Sequence, residues 1–196
     1  MTNLITEVSH LSYNEQIINT MVKKSFALDG GFGFKISDPP KSAAMNVQKN
    51  PFDGFGVINT TLIKDETYKK FTSNFIPFYW EAKFMKEVSA FALKRIEIHQ
   101  AYYLNNTLKL PETFSIVPLG IYAKRGEVRI YLFEWEALSQ LYENGFSIHK
   151  KFLEKLPFNK VVLKEGLFSI DHIITKKTLL DLYGYDIYME KKNATD

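Results

Sequence analysis

The chain is predicted to be an α/β protein whose elements run helix, three strands, helix, two strands. Three observations predict this class. Two segments space their apolar residues three and four apart, as an amphipathic helix does. Several others are rich in β-branched and aromatic residues and are bounded by turn formers, as strands are. The 196 residues, 45% hydrophobic and 24% charged, are enough for one well-buried core and too few for two domains of usual size. A single domain over 1–196 is expected, with a core over about 12–143 and a C-terminal extension over about 145–196.

The first helix is predicted from Asn14 to about Phe26, where Ile17, Ile18, Met21 and Val22 form one stripe and Ser12 with Glu15 has the form of a capping box. Gly30 and Gly31 end it, and Phe32 to Ile36 reads as a short strand before the Asp38-Pro39-Pro40 break. Segments Phe55 to Ile63 and Phe75 to Lys83, separated by a polar run, read as an antiparallel pair. Leu93, Ile96, Gln100, Tyr103 and Leu104 predict a second helix with Gln100 on its inward stripe. Strands over Phe114 to Ala123 and Val128 to Phe133 flank a turn at Arg125-Gly126, and Glu134 to Tyr142 reads as helical. Beyond Gly145 come a lysine-rich helix around Lys150 to Leu156, short strands near Val161 and Phe168, and a helix over Thr175 to Leu182. Pattern assigns this end no role.

Composition excludes several classes of function. With no cysteine there is no disulfide, no thiolate metal site and no cysteine nucleophile, so any metal rests on oxygen or imidazole. No apolar run approaches the roughly 20 residues of a membrane span, and Glu7, His10 and Asn14 break any signal-peptide pattern. A cytoplasmic protein without membrane association is expected. The net charge of +3 permits nucleic-acid binding without demanding it.

The candidate chemistry lies at Asp53, Glu81 and Lys83. Phosphodiester hydrolysis needs a nucleophilic water, charge stabilisation on the phosphate and help for the leaving oxygen, all of which a divalent cation held by carboxylates supplies. Asp53 starts one predicted strand. Glu81 and Lys83 end its neighbour, where alternation puts both on one face with Ala82 pointing away.

Pro51-Phe52-Asp53 followed by Glu81-Ala82-Lys83 resembles the PD-(D/E)XK nuclease signature. Tyr79 to Lys83, then Ser89-Ala90-Phe91-Ala92-Leu93, then Ile98-His99-Gln100 resembles the RecU family of Holliday junction resolvases, in the family's order. Asp53 to Val57 is similar to that family's Asp-x-x-Gly-Ile strand, Arg129 to Leu138 to its last core strand and following helix, and Ile174 to Ile187 to its tail. The resemblance implies a restriction-endonuclease-like αβββαβ core with a mixed central sheet flanked by helices. It also implies a homodimer that places paired, symmetric nicks in four-way junction DNA during recombination and repair, with recombination proteins as possible partners and Mg2+, or Mn2+ in its place, as cofactor.

On that reading Asp53 and Glu81 hold the cation with the Ala82 carbonyl as a further ligand, and Lys83 orients water or stabilises the phosphate. Glu15 completes the site, and Gln100 positions the water or the metal shell. Lys41, Lys49 and Lys35 are candidate DNA-phosphate contacts, with Met45 and Val47 as apolar tips at a branch point. Relative to the family, the Asp53 to Glu81 segment is longer and the Ser37 to Asn50 segment shorter, which bears on junction selectivity.

Each residue also has a plainer reading. Asp53 can be a turn former before Gly54, and Glu81 with Lys83 an ion pair at a solvated strand edge. Glu15 reads equally as the third helical residue of the capping box, Gln100 as a buried amide, and Lys41 and Lys49 as part of a solvated loop. Lys150, Lys151 and Lys155 read as a solvated helix face and His99 as structural or surface. Competing functions are a nuclease of this fold acting on other DNA, such as a nickase or restriction-type enzyme, a non-catalytic DNA-binding protein of the same fold, and a structural interaction module.

Overall fold

The amphipathic stripe at the start of the chain folds as expected: α1 (Glu15–Leu28) buries Ile18, Met21, Val22 and Phe26. The computed structural model describes residues 15–28, 31–36, 50, 52–62, 71–124, 127–162, 166–168 and 172–184. Ser12, Lys41, Met45, Val47, Lys49 and the Arg125-Gly126 turn lie outside these residues. After α1 the chain forms an antiparallel meander of β1 (Phe32–Lys35), β2 (Gly54–Asn59) and β3 (Phe75–Trp80). A 3-10 turn over Thr60–Leu62 follows β2, with residues 63–70 of the longer Asp53 to Glu81 segment outside the described region.

The single strand expected over Phe75 to Lys83 is instead two. β3 stops at Trp80 and β4 (Lys83–Met85) resumes three residues later. Both run parallel to β6 (Phe114–Lys124), and the register does not slip, since Trp80 pairs with Ile116 and Lys83 with Leu119. The cause lies across the sheet: β2 has its first residue opposite Trp80, so beyond that point the chain has lost one of its two strand neighbours.

The second helix also starts later than its apolar spacing predicts. Leu93–Arg95 forms a 3-10 turn, Glu97 is extended, and α2 covers Ile98–Thr107. It is preceded by β5 (Phe91–Ala92). The hairpin of β6 and β7 (Glu127–Glu134) then leads into α3 (Trp135–Glu143). Glu112, between α2 and β6, has φ of 53°. Its carboxylate accepts hydrogen bonds from the Thr72 and Ser73 amides, at 3.0 and 3.2 Å, which ties the approach to β3 onto the approach to β6.

The C-terminal segment belongs to the core sheet. β8 (Ser147–Ile148) pairs with β5 in a separate two-stranded sheet, and α4 is short, Lys150–Leu153, with a solvated Lys150–Glu154 ion pair at 3.8 Å. β9 (Asn159–Val162) lies antiparallel to the first half of β7, and β10 (Ile173–Ile174) parallel to its second half. α5 (Lys176–Tyr183) then packs against α3. No strand forms at Phe168; its amide donates to Ser25 Oγ at 3.0 Å and its ring is buried against the α1 side. Among the described residues the mixed sheet has eight strands in the order β1-β2-β3-β6-β7-β10, with β4 beside β6 and β9 beside β7.

Helices flank both faces. Residues of α1 share one apolar cluster with Ile58, Ile76, Phe78, Trp80 and Ile116; residues of α2, α3 and α5 share the other with Val117, Leu119 and Phe133. No helix among the described residues is long and apolar enough to cross a membrane.

Trp80 fixes the geometry beside Asp53. Its indole N–H donates to the buried Asn19 Oδ1 at 2.7 Å, and its ring lies flat across Gly54, where an added Cβ would stand 2.1 Å from Cζ2. Gly54 is therefore the first residue of a strand packed under the Trp80 ring, and Asp53 before it sits at a bend. Replacing Gly54 by alanine should cost ~2 kcal/mol of stability through overpacking, measured by urea unfolding. A loss below about 0.5 kcal/mol would show that the ring moves aside freely.

Candidate active site

The central feature is the place where β2 leaves β3. The last backbone bond between these neighbours runs from the Asp53 amide to the Trp80 carbonyl, at 3.1 Å. The Asp53 side chain then takes the place of the missing strand: Oδ2 accepts from the Ala82 amide at 2.8 Å. An unpaired buried amide costs on the order of 1–3 kcal/mol, so this bond both satisfies Ala82 and holds the Asp53 carboxylate against the Glu81–Ala82 interruption. On its other side the chain stays in the sheet, with the Glu81 amide 3.2 Å from the Ile116 carbonyl.

Alternation survives the interruption. Trp80 and Ala82 are buried with α1, whereas Glu81 and Lys83 both reach Gln100 of α2. Glu81 Oε1 accepts from Lys83 Nζ and from Gln100 Nε2, each at 2.6 Å, and Lys83 Nζ lies 3.3 Å from Gln100 Oε1. That same Oε1 accepts the Glu97 amide at 2.8 Å, at the start of α2. A glutamine has one acceptor end and one donor end. By occupying the acceptor, the helix terminus aims the donor at Glu81.

Burial dominates the electrostatics. Glu81 is 2% exposed and Lys83 5%. The Glu81 carboxyl is pushed up from 4.5 to about 8, mostly by desolvation and next by the negative charge of Asp53; Lys83 opposes through its charge and hydrogen bond, and Glu15 adds a smaller upward push. One internal lysine thus faces a buried carboxylate that also feels two other acids.

A cleft of about 690 Å³ opens at Asp53, walled by Glu15, Gln16 and Asn19 of α1, by Lys35, and by Phe84 to Glu87 and Arg95. Glu15, the first described residue of α1, faces Arg95 at 4.0 Å. The structure brings Glu81, Lys83 and Gln100 into one hydrogen-bonded group, holds Asp53 beside it on the Ala82 amide, and sets Asp53 and Glu15 in the wall of the same cleft. Lys35 lines it too, donating to Gln16 Oε1. His99 pairs with Glu97 at 3.4 Å on the other side of that turn.

Arg95 and Lys86 were missed by sequence reasoning. With the helix read as starting at Leu93, neither residue falls on the stripe that carries Gln100. Glu97 with Gln100 three residues later, spaced as in a capping box, was the available signal that the helix begins at Ile98 and that Arg95 precedes it.

The donor set suits a hard cation. Asp53 and Glu81 offer carboxylate oxygens, and the Glu81 carboxyl, raised first by burial, is raised also by the negative charge of Asp53, which a cation would offset. Among the described residues no group of three or more acids or histidines is close enough to hold a metal ion. Magnesium binds commonly through one or two carboxylates and keeps several waters, so the Asp53–Glu81 pair fits it. No protein-family model matches the chain, and no curated protein matches it.

Proposed function

We propose that the chain is a metal-dependent, structure-specific DNA endonuclease that resolves four-way junctions by paired nicks. The observation that carries this reading is the splay of β2 from β3, where Asp53, in the wall of an open cleft, bonds the Ala82 amide between the buried, hydrogen-bonded Glu81 and Lys83. The topology supports it as well. A helix, an antiparallel three-stranded meander, the short strands β4 and β5, a helix and a strand parallel to β3 support reading the chain as an αβββαβ nuclease core.

Asp53 and Glu81 would hold magnesium or manganese, which supplies Lewis-acid charge at the phosphate and acidifies water. The chain's own residues arrange the rest. Asp53 is anchored in the cleft wall by the Ala82 amide. Lys83, at 2.6 Å, favours the charged form of Glu81 in a buried setting, and Gln100 hydrogen-bonds both side chains. Water adds to phosphorus as the bond to the bridging oxygen breaks, leaving a phosphate on one strand end and a hydroxyl on the other. Paired nicks need two such sites, hence a homodimer.

The test is a synthetic mobile four-way junction incubated with the protein and Mg2+, Mn2+ or EDTA. Symmetric nicks with either metal, none in EDTA and little attack on linear duplex are expected. Equal cutting of duplex would make it a nuclease of this fold without junction selectivity; binding without cutting in either metal would leave a DNA-binding protein.

A further inference from the structure

We propose that Arg95 is a DNA-phosphate contact of the cleft, gripping a backbone phosphate beside the one that Asp53 and Glu81 address; this rests on the nuclease reading above. Lys83 is spent inside the protein. Its side chain is 6% exposed and tied to Glu81 and Gln100, so a phosphate arriving from solvent must meet its positive charge elsewhere. The cleft walls carry three cations, Lys35, Lys86 and Arg95, against three acids, Glu15, Asp53 and Glu87. A divalent cation on the acids turns this balanced wall net positive.

Among the three cations, Arg95 has the geometry to receive a phosphate. Its Nη2 donates to the Phe84 carbonyl at 2.7 Å, which fixes the guanidinium at the cleft wall. Its other partner among the described residues is Glu15 at 4.0 Å, an ion pair beyond hydrogen-bond length, with the two side chains 41% and 46% exposed. A guanidinium has five N–H donors in a planar fork that matches two phosphate oxygens. One donor held by a carbonyl leaves the fork oriented and largely unspent, so little entropy is lost when a phosphate binds. Lys35, by contrast, already gives its ammonium to Gln16.

The experiment measures binding of the full chain to a four-way junction across a salt series in EDTA, and separately the kinetics of cutting in Mg2+, for wild type, Arg95→Ala and Arg95→Lys. Arg95→Ala should weaken binding about five- to tenfold and lower the slope of log K against log salt by about 0.9, the value of one phosphate contact. KM should rise while kcat stays within about twofold. Arg95→Lys should restore the slope and only part of the affinity, because it returns the charge without the fork. An unchanged slope in Arg95→Ala, or a fall in kcat with slope intact, would overturn the proposal and make Arg95 a brace for the Phe84 carbonyl. Wild type that neither binds nor cuts junctions sinks the nuclease reading itself, whereas wild type that cuts alongside an indistinguishable Arg95→Ala sinks this inference alone.

Discussion

Asp53→Asn should cut junction DNA at least about a thousandfold more slowly than wild type in saturating Mg2+, while binding junctions with similar affinity. The asparagine oxygen can still accept the Ala82 amide, so the bond at 2.8 Å that closes the splay survives and the fold with it. What disappears is half of the carboxylate charge available to a cation. A loss of about 4 kcal/mol in transition-state stabilisation corresponds to about a thousandfold in rate. A second readout separates this from mere damage. Because Asp53 is the second-largest cause holding the Glu81 carboxyl up near 8, its neutralisation should move that carboxyl towards the usual range, observable by carboxyl-selective NMR or infrared titration without metal. Asp53→Asn cutting as fast as wild type would place the chemistry elsewhere.

How much of this was legible beforehand depended on how local the cause was. α1 packs the stripe that its spacing announced, with Ile17 only partly buried, and alternation put Glu81 and Lys83 on one face, which the structure sets against Gln100. Two features were not legible because they are made by distant chain. The break at Glu81–Ala82 arises where β2 departs, and β2 lies more than twenty residues upstream with its own start set by Gly54 under Trp80. The two short strands β9 and β10 gain their partners only from β7; neither is long enough to show a period of its own. The segment set apart in sequence as an extension therefore completes the sheet edge. Arg95 was hidden for a local reason: Leu93 and Ile96 continue a helical spacing through a 3-10 turn that is not part of the helix. The DNA contacts expected at Lys41 and Lys49 lie outside the described residues.

Glu81→Gln should separate stability from activity in opposite directions. Glutamine mimics the protonated carboxyl: its oxygen still accepts from Lys83 and Gln100, and it carries no charge into a site that is 2% exposed. The folded-state pKa of Glu81 is raised, from 4.5 to about 8. Between those values the folded chain holds a proton that the unfolded chain has released, so metal-free wild type loses stability as pH climbs through this window and the loss levels off above about 8. Each unit of separation is worth about 1.4 kcal/mol, so the loss reaches a few kcal/mol. Below about pH 4.5 wild type and variant should melt together in EDTA. Above it the variant should pull ahead, by roughly 5–10 °C at pH 8 to 9 for a chain of this size. Excess Mg2+ should close or reverse the gap, because only wild type retains both carboxylates and binding to the folded state adds to stability. Cleavage by the variant should fall at least about a hundredfold. A melting difference that stays flat from pH 4 to 9, or that ignores added metal, would mean that Glu81 is held charged by Lys83 alone and that the pair is a structural ion pair rather than half of a cation site.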